Sequence, residues 1–171
     1  MIVCRTASED ETRAIGAAVA PLADEGDIII LTGDLGTGKT RFTQGFAKGL
    51  DVRDAVTSPT FTLVRIYDGR LRLHHADLYR MEGIEEVADL VLGELADRDG
   101  VSLIEWGDAA VEILGHDVLD VRLELGPDDD DRVITLTPAG RTWSARRDDL
   151  EKALAAWRSE SPSGSSERGT Q

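Results

Sequence analysis

Eight residues constrain this chain more than any others. Gly33, Asp34, Leu35, Gly36, Thr37, Gly38, Lys39 and Thr40 follow the pattern GxxxxGK[ST]. The pattern has meaning in one context only, a strand running in and a helix running out. Both flanks read that way: Asp27 to Thr32 is strand-like, and a helix should begin near Lys39. The glycines are a physical requirement. A loop that turns successive N–H groups inward around a phosphate needs backbone angles with positive φ and no side chains in the way. Lys39 would then reach the outer phosphates and Thr40 would ligate Mg²⁺, while the positive end of the following helix supports the negative charge. At average residue usage such a pattern arises by accident in roughly one chain of this length in a couple of hundred, and the strand and helix context makes the coincidence rarer. The stretch predicts a phosphate-binding site.

The rest of the chain has to supply one domain around that loop. It has 171 residues and 41% hydrophobic content, enough for one core and little for a second. We expect a single domain over 1–158. The segment from Ser159 to Gln171 contains no hydrophobic residue, cannot offset the entropy of ordering, and is expected to be a disordered polar tail. The net charge is −14, a field that opposes unassisted binding to phosphate backbones. The single cysteine, Cys4, cannot form an internal disulfide. The longest unbroken run of large apolar residues, Ile28 to Leu31, is far below the roughly 20 residues of a membrane span, and the acidic N-terminal segment does not read as a signal peptide. The expectation is a soluble, cytoplasmic protein that makes no use of a membrane.

Strand-like runs alternate with helical patterns. Ile2 to Thr6, Asp27 to Thr32, Phe61 to Tyr67, Arg70 to Ala76, Val101 to Trp106, Val118 to Leu125 and Arg132 to Pro138 read as strands. Ser8 with Glu11 makes a capping box for a helix whose apolar face is Ile15, Val19 and Leu22. Further helices are expected from Lys39, over about Ile84 to Asp97 with a break near Gly93, and along the face of Leu150, Leu154 and Trp157. Asp128 to Asp131 reads as an acidic turn between two strands. The pattern predicts an α/β domain: a mixed sheet of about seven strands flanked by helices.

Two further features bear on chemistry. The apolar run Val101 to Trp106 carries Glu105 near its end, as a strand would that delivers a carboxylate to Mg²⁺ or to the attacking water; an acid at a sheet edge or, a few residues on, Asp108 as a helix cap are the competing readings. Asp68 and Gly69 suit a two-residue type I′ hairpin turn. That turn pairs Tyr67 with Arg70, Ile66 with Leu71, Val64 with Leu73, Thr62 with His75 and Thr60 with Asp77. Val64, Ile66, Leu71 and Leu73 would face the core, with Thr60 and Asp77 at the open end of the same stripe, against a metal-phosphate site or against water. Arg65, Arg70 and Arg72 would share the other face with Tyr67 and His74, solvated, paired internally or on an anionic partner. His75 reads as a structural residue beside Asp77.

With the loop, SPTFTL at 58–63, HADLYR at 75–80 and IEW at 104–106, the sequence resembles the TsaE (YjeE) family, small bacterial P-loop ATPases of the machinery that makes threonylcarbamoyladenosine beside the tRNA anticodon. The resemblance runs from about residue 8 to about 138. It implies a P-loop NTPase fold, Mg²⁺-dependent ATP hydrolysis that is weak without partners, and work in complex with TsaD and TsaB. On matching positions it implies that the stretch Gly33 to Arg41 holds the nucleotide, with Arg41 the last of these, that Thr40 and Glu105 serve the metal, and that Lys39, Glu105, Asp77 and Thr60 act in catalysis. Thr60 would lie in a switch-like segment, and Trp106 would complete the nucleotide site. Departures are Thr37 and Arg41, where the family commonly reads GDLGAGKTT, Phe61 in place of Tyr, and Ala76 in place of an aromatic.

Other function classes fit the residues less well. A P-loop small-molecule kinase needs an acceptor pocket and an arginine-rich lid, for which Arg141, Arg146 and Arg147 are the close candidates. A nucleotide-binding module without useful hydrolysis, switching partner affinity by occupancy alone, is a lesser alternative. A guanine-specific switch lacks any [NT]KxD stretch. The charge and the lack of an aromatic platform argue that this chain alone does not bind tRNA tightly.

Overall fold

Long apolar runs such as Ile28 to Leu31 have no polar face, so a strand made of one must be covered on both sides. The computed structural model, which describes residues 1–59, 61–79, 81, 84–90, 99–106, 113 and 115–159, buries them that way. The strands are β1 (Ile2–Thr6), β2 (Ile28–Thr32), β3 (Val64–Tyr67), β4 (Arg72–Asp77), β5 (Gly100–Glu105), β6 (Leu119–Leu125) and β7 (Arg132–Pro138). They form one sheet in the order β1-β7-β6-β2-β5-β4-β3. The four inner strands β6, β2, β5 and β4 run parallel, while β1–β7, β7–β6 and β4–β3 pair antiparallel. The helices are α1 (Glu9–Val19), α2 (Lys39–Gly49), α3 (Ile84–Leu90), α4 (Gly140–Ala145) and α5 (Arg147–Ala153). The mixed seven-stranded α/β sheet expected from the sequence is the sheet observed.

Alternation along the central strands sorts the core into two layers. Ile29, Leu31, Val101 and Leu103 face the layer of α1 and α2, with Phe42 and Phe46; Ile30, Ile104 and Ala76 face the other, with Val87 of α3. α1 starts at Ser8, whose Oγ accepts the Glu11 N–H at 3.2 Å, while Glu11 Oε2 accepts the Ala7 N–H at 2.6 Å. The expected C-terminal helix is instead two short ones meeting at Arg146, with Leu150 and Leu154 buried as the pattern requires. Beyond them the backbone runs along β1: Arg5 N–H donates to the Trp157 carbonyl and Ser159 N–H to that of Val3, both at 2.9 Å. Residues 160–171 of the expected tail, the continuation of the third helix over 91–98, and Asp108 lie outside the described residues.

The hairpin differs from its sequence reading. Tyr67 pairs with Leu73, Ile66 with His74, Arg65 with His75 and Val64 with Ala76. The connection is therefore five residues rather than two, a shift of three that turns the β4 side chains to the opposite face relative to β3. Tertiary contacts override the local turn. Arg70 N–H donates to the Leu50 carbonyl at the end of α2 at 2.6 Å, and Arg70 Nη2 donates to the carbonyls of Ala20 and Ala23 at 3.0 and 3.1 Å. Gly69 lies so close that a Cβ there would stand 2.4 Å from the Leu50 oxygen. In consequence Tyr67 and Leu73 enter the core, Val64 and Leu71 are half-buried, and Ile66 is exposed. The three arginines share no face: Arg70 is bound to carbonyls and Arg72 pairs with Asp68 and Asp99. The first half of the predicted strand is a turn, in which the Pro59 carbonyl accepts the N–H groups of Thr62 and Leu63.

These strands set the position of the loop. β2 lies between β6 and β5, and the chain leaves it for α2 and the β4 side, while β6 returns on the other side. The carboxyl ends of parallel strands at such a reversal form the crevice where α/β sheets bind ligands.

Candidate nucleotide site

The loop between β2 and α2 opens into that crevice. Gly33, Gly36 and Gly38 have φ of 137°, 83° and 104°, the left-handed region that side chains disfavour. Gly33 also has no room for a side chain, since a Cβ would meet the Leu123 carbonyl oxygen at 2.2 Å. Thr37 braces the turn by donating its hydroxyl to the Asp34 carbonyl at 2.8 Å. Lys39 and Thr40 open α2, at the end where N–H groups and the helix dipole favour an anion. The loop faces a cleft of about 500 Å³ whose lining includes Leu35, Gly36, Gly38, Lys39, Thr40 and Arg41 from the predicted stretch. Ser58, Asp77, Tyr79, Glu105 and Trp106 line the same cleft from the neighbouring strand ends, and Glu9, Thr12, Asp130 and Arg132 close its other side.

Two buried carboxylates stand beside the lysine. Asp77 ends β4 and Glu105 ends β5, and the parallel register places them directly abreast. Asp77 Oδ1 accepts the Tyr79 N–H at 3.0 Å and Oδ2 accepts the Ser58 hydroxyl at 3.3 Å. Glu105 Oε1 lies 2.9 Å from His75 Nε2 and 3.5 Å from Thr40 Oγ1. Lys39 Nζ donates to the carbonyls of Gly33 and Asp34 at 2.7 and 2.9 Å and sits 4.2 Å from the centre of the Trp106 ring. Burial lowers the pKa of this ammonium from the ordinary lysine value, and the negative charges of Glu105, Asp77 and Asp34 oppose that shift. Trp106 reaches the lysine because its backbone is left-handed, φ 59°, just after its N–H has closed the ladder on the Leu31 carbonyl. Such a backbone costs a large residue about 1–3 kcal/mol and is held here by the ladder and by the ring's contact with Tyr79.

The cleft thus brings together Lys39, Thr40, Asp77, Glu105 and Trp106 from three segments of the chain. Arg41 reaches only its rim, where it pairs with Glu9 at 3.0 Å, and Leu35 is exposed above it. Thr60 lies outside the described residues. The Asp77 N–H donates to the Leu63 carbonyl at 2.9 Å, so the backbone opposite Asp77 is that of Leu63, three positions on from the pairing the short hairpin required. The arginines offered as a kinase lid lie elsewhere, Arg146 on Asp24 and Asp27 and Arg147 on Glu151. Sequence reasoning missed Ser58 and Tyr79, which sit in the quoted SPTFTL and HADLYR motifs, and the contact of His75 with Glu105, which arrives from another strand. It also missed Arg132, which donates to the carbonyls of Thr37 and Gly36 at 3.0 and 3.3 Å; 95 residues separate it from Thr37, and no local pattern announces it.

Comparison with known proteins agrees with this geometry. A model of the family described as "Threonylcarbamoyl adenosine biosynthesis protein TsaE" matches residues 6–134. The chain is 42% identical to the tRNA threonylcarbamoyladenosine biosynthesis protein TsaE of Bacillus subtilis, over 86% of this chain and 92% of the relative. It is 41% identical to that of Streptomyces coelicolor, over 77% and 93%, and 38% identical to that of Treponema pallidum, over 71% and 90%. The crystal structure of Bacillus subtilis YdiB superposes with a TM-score of 0.72 at 36% identity, covering 89% of this chain and 97% of that one. The architecture is the P-loop NTPase fold.

Proposed function

The chain belongs to the TsaE family, and from that premise we propose that it is a Mg²⁺-dependent ATPase supporting threonylcarbamoyl transfer to the tRNA adenosine beside the anticodon. In this reading it works in the cytoplasm with TsaD and TsaB homologues, which recognise the tRNA. The observation that carries the reading is the meeting, in one cleft, of a glycine loop, a lysine and two abreast carboxylates.

The donor set suits the cofactor. Mg²⁺ is a hard cation that takes one or two carboxylates together with substrate phosphates, and the cleft offers the Thr40 hydroxyl, Glu105 and Asp77 as oxygen donors. Bound there, Mg²⁺ would neutralise charge building on the transferred phosphoryl oxygens. The chain's own groups do the rest. Loop N–H groups and the Lys39 ammonium bind and orient the phosphates, and to do so Lys39 exchanges the carbonyls of Gly33 and Asp34 for phosphate oxygens. Water attacks the terminal phosphorus, the bond to the ADP oxygen breaks, and a carboxylate beside the cleft, Glu105 or Asp77, accepts the proton of that water. Trp106 and Tyr79 wall the reacting end and limit access of bulk water.

Calorimetric titration with Mg-ATP tests the assignment. Lys39→Ala should fold, because the Lys39 side chain lines the cleft and its ammonium bonds only loop carbonyls, and should lose at least about tenfold in affinity with the loss of a charge-assisted contact. Wild-type affinity in a well-folded Lys39→Ala protein would remove the site from this loop.

A further inference from the structure

One buried side chain behind the cleft is not used by that reading. His75 is fully buried on β4, two residues before Asp77 and therefore on the same face of the strand. Its Nε2 lies 2.9 Å from Glu105 Oε1. An ionised carboxylate only accepts, so the ring nitrogen facing it carries a proton. Nδ1 is buried and has no hydrogen-bond partner among the described residues. The opposite tautomer would set a lone pair against the carboxylate and strand a buried N–H at Nδ1, the costlier arrangement on both sides of the ring.

We propose that His75 is a positioning residue for Glu105, an inference that rests on Glu105 being the carboxylate that serves the reaction. A glutamate has three rotatable bonds, and nothing in the cleft but Thr40 Oγ1, at 3.5 Å, otherwise holds this one among the described residues. The Nε2–H bond pins Oε1 from beneath the cleft and leaves the second oxygen for the chemistry above. His75 itself touches neither nucleotide nor metal. Partners of this kind behind a ligating or catalytic group fix its orientation, and their loss costs about 10- to 100-fold in activity.

The test uses the full chain and two substitutions. Gln places an amide N–H near the position of Nε2, whereas Leu fills the space with no donor. His75→Leu should lower kcat for phosphate release from Mg-ATP by about 10- to 100-fold, with KM and the affinity for ATP in EDTA changed by less than about twofold. His75→Gln should recover most of that loss. A readout independent of activity is the ¹⁵N spectrum of the imidazole in wild-type protein free of metal and nucleotide, which should show a protonated Nε2. An unprotonated Nε2 overturns the proposal, and so do equal losses in both variants accompanied by a lowered melting temperature, which would make His75 a packing residue. Glu105→Gln separates the two levels. If it abolishes turnover while His75→Leu behaves as wild type, the positioning role fails alone; if Glu105→Gln turns over normally, the assignment of Glu105 fails and the positioning role falls with it.

Discussion

Lys39 is buried, yet three carboxylates and the carbonyls of Gly33 and Asp34 surround its ammonium. Its neighbourhood holds a positive charge ready for phosphate. At this scale the loop was legible because every requirement is local: glycines for positive φ, a lysine and a threonine at fixed offsets. His75 was not legible, since its meaning depends on Glu105 arriving from another strand 30 positions later. Cys4 shows the opposite case, a group made inert by its place. It is fully buried on β1 beneath the backbone bridge to Arg158, and burial pushes its thiol up to about 11, against a smaller opposing pull from Arg158. The thiolate is the reactive form. At pH 8 iodoacetamide should leave Cys4 untouched in the native protein and label it rapidly in denaturant, as read by mass spectrometry. Rapid labelling of the native chain would show that the C-terminal segment does not stay on β1.

Among the elements, the hairpin shows where pattern reading stops. Asp68-Gly69 is a good type I′ turn by local chemistry, and it is overruled by hydrogen bonds from Arg70 to Leu50, Ala20 and Ala23, residues far enough away in sequence to leave no trace in the local pattern. The central strands and α2 were readable because their burial on both faces, or on one stripe, is written into the composition of the runs themselves. The turn lies at the amino end of β4 and the cleft at its carboxyl end, so the two should separate experimentally. Arg70→Ala should destabilise the domain by about 1–2 kcal/mol through two lost side-chain hydrogen bonds, lowering the melting temperature by a few degrees while leaving ATP affinity unchanged. An unaltered melting temperature would mean that Arg70 does not hold the turn.

For the molecule as a whole, the sheet order brings β2, β4 and β5 together so that Lys39, Asp77 and Glu105 meet at one end. Alternation of strands and helices made the α/β class readable, while the strand order depends on crossovers that periodicity does not encode. In the proposed complex a net charge of −14 would leave tRNA recognition to the partners and the hydrolytic step to this chain. The most direct measurement is therefore single-turnover phosphate release from Mg-ATP, with TsaD and TsaB homologues present, comparing wild type with Glu105→Gln. Hydrolysis at this cleft requires that the variant still bind ATP yet release phosphate at least about 100-fold more slowly. Release at the wild-type rate by the variant, or no release by the wild type, would contradict it.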